Sequence, residues 1–359
     1  MYGRATGKAG VCSAIRGPGA INLILGTANA FTDSVLLIAL SAQVGLHREY
    51  KETHQFVDLI SMFKPVTKWA AEIRIPSAVP AMIRKAFKIA QTERPGACYL
   101  GIPQDVEQMR VSKHLQPLLR SDVYDSYPSP SQVLRASKVL ERAKSPLILV
   151  GHGAARNDAQ QALIRFSEKL QIPVAVTFMG KGVFPDNHPN ALGIVGFMRR
   201  DYINFGFDFA DVLVCVGYDM QEFDPAKVNP KADKKIIHIS RYAAEVDPHY
   251  PVAVGIESNI SMALDELAKS LKPKEILKPA NREIRNLLRK ELEEGAQDDS
   301  FPVKPQRIVS DIRLALNDSD IVLVDTGAIK MWMATPTQKG WETSISFNAN
   351  RLKSAYMHR

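Results

Sequence analysis

Cysteine is scarce: Cys12, Cys98 and Cys215 are the three among 359 residues, and they lie far apart. Their spacing fits neither a metal site nor a disulfide framework, which suits a reducing cytoplasm, the expected location. No apolar run approaches the ~20 residues needed to span a bilayer, so no membrane partner is expected. The opening Met1-Tyr2-Gly3-Arg4-Ala5 has one basic residue and no long apolar stretch, unlike a secretory signal. Clusters of five or more basic residues are also missing. A net charge of +8 could attract an anionic partner. But lysines and arginines alternate with acids, as over residues 281–294, so nucleic acid is not an expected partner.

What is present is ordinary globular material. Hydrophobic residues make up 45% and charged residues 23%, enough for real cores. The length suggests two or three domains at roughly 100–200 residues each. Strand-like and helix-like segments alternate, an α/β pattern.

The most informative stretch comes first. Val11 to Ile15 reads as a buried parallel strand, with a β-branched residue at each end. Gly17-Pro18-Gly19 breaks it, and Asn22 to Ala30 is apolar enough to enter a helix. Strand, Gly-rich turn and helix together place a ligand at the carboxyl end of a sheet. Taken alone, such a turn is also compatible with tight packing. Behind it come a helix, a polar turn and a second strand over residues 26–44. Then follow Glu52-Thr53-His54-Gln55, Pro65-Val66-Thr67-Lys68-Trp69, Arg94-Pro95-Gly96-Ala97 and Ile102-Pro103-Gln104-Asp105-Val106.

That order of motifs resembles the pyrimidine-binding domain of thiamine-diphosphate enzymes of the acetolactate synthase group. Gly-Pro-Gly followed by Asn-Leu, and the closing Pro-Gln-Asp-Val, are most similar to the catabolic branch that lacks FAD. The resemblance covers residues 1–334. It implies an α/β fold with parallel sheets throughout: part of a pyrimidine-binding domain (1–110), a linker (111–130), a complete Rossmann-like central domain (131–271), a charged helical connector (272–304) and the start of a diphosphate-binding domain (305–334). Residues 335–359 lack an apolar period and read as a divergent tail.

Within the central domain, Pro146 to Val150, Val174 to Thr177, Val212 to Gly217 and Lys235 to Ile239 read as strands. Ser131 to Lys144, Ala159 to Leu170 and Asn259 to Leu271 read as helices, the first with Val133, Leu134, Val139 and Leu140 inward. Ile321 to Gly327 is a strand with its turn, and Lys330 to Ala334 opens a helix.

The resemblance also implies roles. Gly17, Pro18, Gly19 and Asn22 fall on the loop beside the cofactor's pyrimidine. Gln55 falls on the glutamine reaching a partner subunit's cofactor, and Lys68 on the lysine near the substrate entrance. Gly327, Ala328 and Ile329 match the turn that holds diphosphate oxygens, with Met331 in the helix behind. Arg16 stands where the family has serine, and Ile329 where it commonly has histidine. Implied cofactors are thiamine diphosphate and Mg²⁺. FAD is not expected, because residues 216–225 resemble the Gly-Tyr-Asp-Pro run of the FAD-free branch. The family's catalytic glutamate precedes the Tyr2–Lys8 motif and its Gly-Asp-Gly…Asn metal motif follows residue 334. Neither is among these residues, so the chain alone is expected to be incomplete and inactive, with no metal ligands of its own.

The implied activity is decarboxylation of pyruvate and transfer of the two-carbon unit to a second 2-oxo acid, in a homodimer or homotetramer. Alternatives within the fold are another 2-oxo acid decarboxylase or lyase, and a non-catalytic partner of a full-length homologue. Gly151-His152-Gly153 leaves a Rossmann-type nucleotide-binding module open, though a lone Gly-x-Gly is weak. His152, His238 and His249 are scattered and read as structural.

Overall fold

The computed structural model describes residues 2–111, 115–120, 125–195, 206–273, 279–317, 320, 322–324, 327–334 and 345–347. The chain divides into two compact units, Met1–Tyr124 and Asp125–Arg359. Both are α/β, and every sheet is parallel. Among the described residues, no helix is long and apolar enough to cross a membrane.

Unit 1 contains α1 (Tyr2–Thr6), β1 (Gly10–Ala14), α2 (Pro18–Thr32), β2 (Leu37–Gln43), α3 (Leu59–Phe63), β3 (Trp69–Glu72), α4 (Val79–Gln91), β4 (Ala97–Pro103) and α5 (Gln104–Gln108). Its sheet runs β1-β2-β4-β3. Parallel strands need a crossover between them, and helices then cover both faces. The two central strands, β2 and β4, are accordingly the most apolar. Tyr99 of β4 stacks on Phe63 at 3.9 Å between ring centroids, and its hydroxyl pairs with Ser41 Oγ at 2.6 Å. On the other face, α4 brings Ala86 and Ala90 to the core, with Met82, Ile83 and Ile89 packed around them.

The expectation of a buried first strand needs correcting. β1 is an edge strand: Cys12 packs inward with Ala39 and Tyr99, while Val11 and Ile15 are exposed. A strand paired on one side has less sheet to cover its alternate residues, whatever their hydrophobicity.

Unit 2 is built on six strands: β5 (Pro146–Val150), β6 (Val174–Val176), β7 (Ala191–Ile194), β8 (Val212–Val216), β9 (Lys235–Ser240) and β10 (Val252–Glu257), in the order β10-β9-β8-β5-β6-β7. Helices α6 (Pro130–Arg142), α7 (His152–Arg156), α8 (Gln160–Leu170), α9 (Pro225–Val228) and α10 (Ile260–Ser270) connect and close it. β8 is buried over its whole length, as a strand covered on both faces must be. In α6, Val133 and Leu140 are buried and Val139 packs against the core, but Leu134 is 56% exposed. The helical period carries Leu134 to the outer face, correcting its inward assignment.

The remaining elements are α11 (Pro279–Ala296), α12 (Pro305–Ala315), β11 (Val322–Val324), α13 (Ala328–Ala334) and β12 (Ile345–Phe347). Val309, Val324 and Met333 join the same apolar cluster as the central sheet. Lys330 Nζ lies 5.1 Å from the Phe178 ring centroid. Within residues 335–359 only β12 is described, parallel to β11. Ile321, Asp325 and Thr326 of the expected strand and turn lie outside the described residues.

Candidate active site

In unit 1, the carboxyl ends of the parallel strands converge on the Gly-rich turn and one long loop. Gly17 caps α2 with φ 62° and ψ −124°, a conformation that disfavours any residue with a Cβ. Pro18 follows at the first helical position, where its missing N–H costs nothing, and Gly17 C=O accepts from Ile21 N at 3.0 Å. A Cβ on Gly17 would sit 2.5 Å from the Gln55 carbonyl oxygen and 2.9 Å from Gln55 Cβ. One on Gly19 would meet Ile15 Cγ2 at 2.5 Å. The structure therefore brings Gly17 and Gln55 together across 38 positions of sequence. Gln55 itself has φ 62°. Asn22, in the second turn of α2, is exposed.

The loop that carries Gln55 runs from the end of β2 and is fastened at several points. Gln43, buried, donates from Nε2 to Val57 C=O at 3.0 Å and accepts from Val44 N–H at 2.9 Å. Arg74, just beyond β3, holds Glu49 through Nη2 at 3.2 Å and Glu72 through Nε at 3.1 Å. Burial, followed by the facing Glu49 carboxylate, pushes Glu72 up to about 7 against the pull of Arg74. Between Glu49 and Phe56 the loop lines an open hollow of about 670 Å³. Arg16 Nη1 donates to Gln104 Oε1 at 3.3 Å, so the Pro-Gln-Asp segment after β4 also reaches this edge.

Lys68 is elsewhere. Its N–H bonds Ala97 C=O at the start of β4, and its Nζ donates to Thr92 C=O at 2.6 Å. Those atoms mark the amino ends of the strands, opposite the Gly17 turn. Burial lowers the Lys68 pKa. Within one copy of unit 1, Lys68 and the Gly17–Gln55 pair do not share a site.

In unit 2, Gly327 has φ 138° and is exposed with Ala328 and Ile329 at the start of α13. The Gly327 carbonyl accepts from Lys330 N–H at 3.1 Å. Met331 is half-buried against the core. A diphosphate turn needs open backbone amides, and these residues leave their surface open. Among the described residues, no three His, Cys, Asp or Glu side chains are grouped to hold a metal ion.

His238 is part of a buried polar chain. Its Nδ1 meets Tyr250 Oη at 3.0 Å and its Nε2 meets Tyr242 C=O at 3.3 Å, so Nε2 carries the proton and Nδ1 accepts from tyrosine. Burial lowers its pKa to about 4. The stabilisation from keeping it neutral is present above the ordinary histidine pKa and is lost as the pH falls towards 4. His249 Nδ1 lies 3.2 Å from Asn229 C=O. Sequence reasoning did not find Gln43, Glu72 or Arg74, because the contacts that fasten the loop, Gln43 to Val57 and Arg74 to Glu49, join residues 14 and 25 positions apart.

Two families of sequence match these units. The N-terminal TPP-binding domain of thiamine pyrophosphate enzymes matches residues 1–62, and the central domain of the same enzymes matches residues 133–267. The chain is 34% identical over 346 residues to a probable acetolactate synthase large subunit of Methanocaldococcus jannaschii, covering 93% of this chain and 58% of that one. It is 33% identical over 355 residues to another from Methanococcus aeolicus, covering 93% and 59%. To the catabolic acetolactate synthase of Raoultella terrigena it is 30% identical over 337 residues, covering 92% and 60%. The chain thus spans about three-fifths of the length of these curated relatives. With the Gly17 turn inside the N-terminal match and the doubly wound sheet inside the central one, this chain belongs to the thiamine-diphosphate-dependent enzyme family.

Proposed function

We propose that the chain serves an acetolactate synthase-type carboligase, acting on pyruvate and a second 2-oxo acid in a homodimer or homotetramer of the cytoplasm. The observation that carries this reading is the contact between Gly17 and Gln55 at the carboxyl end of the unit 1 sheet. Thiamine diphosphate, when bound, supplies the electron sink for breaking and making the carbon–carbon bond next to a carbonyl. Gly17, Pro18 and Gly19 would offer backbone to the pyrimidine, with Asn22 and Gln55 beside them. The amides at Gly327, Ala328 and Ile329 would face the diphosphate, with Met331 behind; Mg²⁺ ligands would come from outside these residues. Lys68 would act only if a second copy brought its end of the sheet to a site.

Product analysis tests the reading. A protein that contains these residues together with the family's glutamate and metal motif is expected to turn pyruvate into acetolactate. Acetaldehyde as the main product would move the assignment to a simple decarboxylase. The 359 residues alone, given pyruvate, thiamine diphosphate and Mg²⁺, are expected to release no CO₂ above the protein-free rate. Loss of a positioned acid–base group by itself typically costs roughly 10²–10⁴-fold.

A further inference from the structure

The strand order of unit 2 sends the chain outward in opposite directions from β5 and β8. In a doubly wound sheet, the crevice at the carboxyl ends of two such strands is where a ligand binds. Here the protein fills that crevice. Gly153 N–H donates to Gly217 C=O at 2.8 Å, and Gly217 N–H donates to Ile239 C=O at 2.8 Å. The loops after β5 and β8 are therefore in backbone contact.

Into the space beside them the chain places a carboxylate. Glu222 Oε1 and Oε2 each lie 2.9 Å from His152 N, and Oε2 accepts from the Thr177 hydroxyl at 2.5 Å. Asp219 N–H reaches Oε1 at 3.3 Å. The Thr177 hydroxyl is itself oriented, because it accepts from Gly180 N–H at 2.9 Å. A Cβ on Gly151 would come within 2.7 Å of Glu222 Oε1. Loops after β5, β6 and β8 thus aim three donors at one carboxylate. Every one of these contacts gives a hydrogen bond to an anion and none asks for one back.

We propose that Glu222 is a built-in anion standing where a dinucleotide's pyrophosphate would otherwise be held, and that it fixes the central domain as one that takes no nucleotide. The assignment uses only unit 2 and is independent of the carboligase reading. Burial pushes Glu222 up to about 7 in spite of its donors, so the test is run at pH 8, where it is ionised. Chemical rescue separates an anion's role from simple space filling.

Melting of the whole chain would be followed for wild type, Glu222→Ala and Glu222→Gln. Glu222→Ala is expected to melt on the order of 3–8 °C lower. Added formate at about 0.1 M should restore at least half of that loss by mass action, while chloride at equal ionic strength should not. The amide of Glu222→Gln, lacking the charge, should leave most of the loss in place. Full stability in Glu222→Gln, or no difference between formate and chloride, would make Glu222 a spacer and overturn the proposal. If Glu222→Ala fails to fold, equilibrium dialysis of the wild type against FAD and ADP decides alone. No binding at millimolar ligand is expected, and stoichiometric uptake of either overturns the assignment.

Discussion

Gly217→Ala should lower the stability of unit 2 by roughly 3–5 kcal/mol, among the largest effects a single methyl can have. Gly217 has φ 56°, which a Cβ disfavours. The larger cost is steric: the new carbon would lie 2.1 Å from Ala154 N and 2.5 Å from Gly153 C. Both obstacles are backbone and cannot rotate away. The strand-end hydrogen bonds of Gly153 and Gly217 hold the two loops at this separation. Relief requires opening the seam between β5 and β8, the two middle strands. Urea denaturation should show the midpoint shift. Gly255→Ala is the control, because a Cβ there meets nothing within 4 Å, and its midpoint should move by much less. Equal midpoints for the two variants would mean that the interlocked loops do not bear on stability.

Gly17→Ala should have the corresponding effect in unit 1, with a functional consequence. The added carbon, 2.5 Å from the Gln55 carbonyl, either displaces the 53–57 segment or forces α2 away from it. With the positive φ included, a loss of about 2 kcal/mol in unit 1 is expected. In a protein complete enough to turn over, misplacing the cofactor loop by about 1 Å should reduce kcat/KM by roughly 10²-fold. Gly26→Ala, on the same helix with open space around its Cβ, should instead stabilise by about 0.5–1 kcal/mol and leave turnover unchanged. If both variants kept full activity, Gly17 would have no part in placing a cofactor.

The physical signals that made parts of this fold legible are specific. Pro146–Val150 and Val212–Val216 are continuous apolar runs because both faces of a parallel sheet are covered. Gly17 was visible because a left-handed turn between strand and helix leaves glycine in the sequence. β3, β7 and β10 were not recognised. The first is four residues ending in Glu72, the second has Gly193 and a register shift, and the third carries Gly255 and its own register shift. Short or irregular strands take their stability from neighbours, and periodicity does not show that.

The site was legible only where its parts are local. Gly17 to Asn22 is one turn and one helix, but the Gln55 contact depends on how the loop after β2 folds back. Lys68 illustrates the limit: its motif is intact, yet strand direction puts it at the amino end of β3, away from that contact. Glu222 lies within the 216–225 run that resembles the FAD-free branch, but its contacts were not legible there, since its principal donor, His152 N–H, is a backbone group 70 positions away.

Hydrogen exchange of a protein that contains these residues together with the family's glutamate and metal motif, with and without millimolar thiamine diphosphate and Mg²⁺, tests the cofactor assignment most directly. The amides of residues 16–22 and 53–57 in unit 1, and 327–331 in unit 2, should exchange more slowly with the cofactor present. Those of residues 151–153 and 217–222, already held by Glu222 and by each other, should not change. Protection at the central turn instead, or at no segment, would contradict the account.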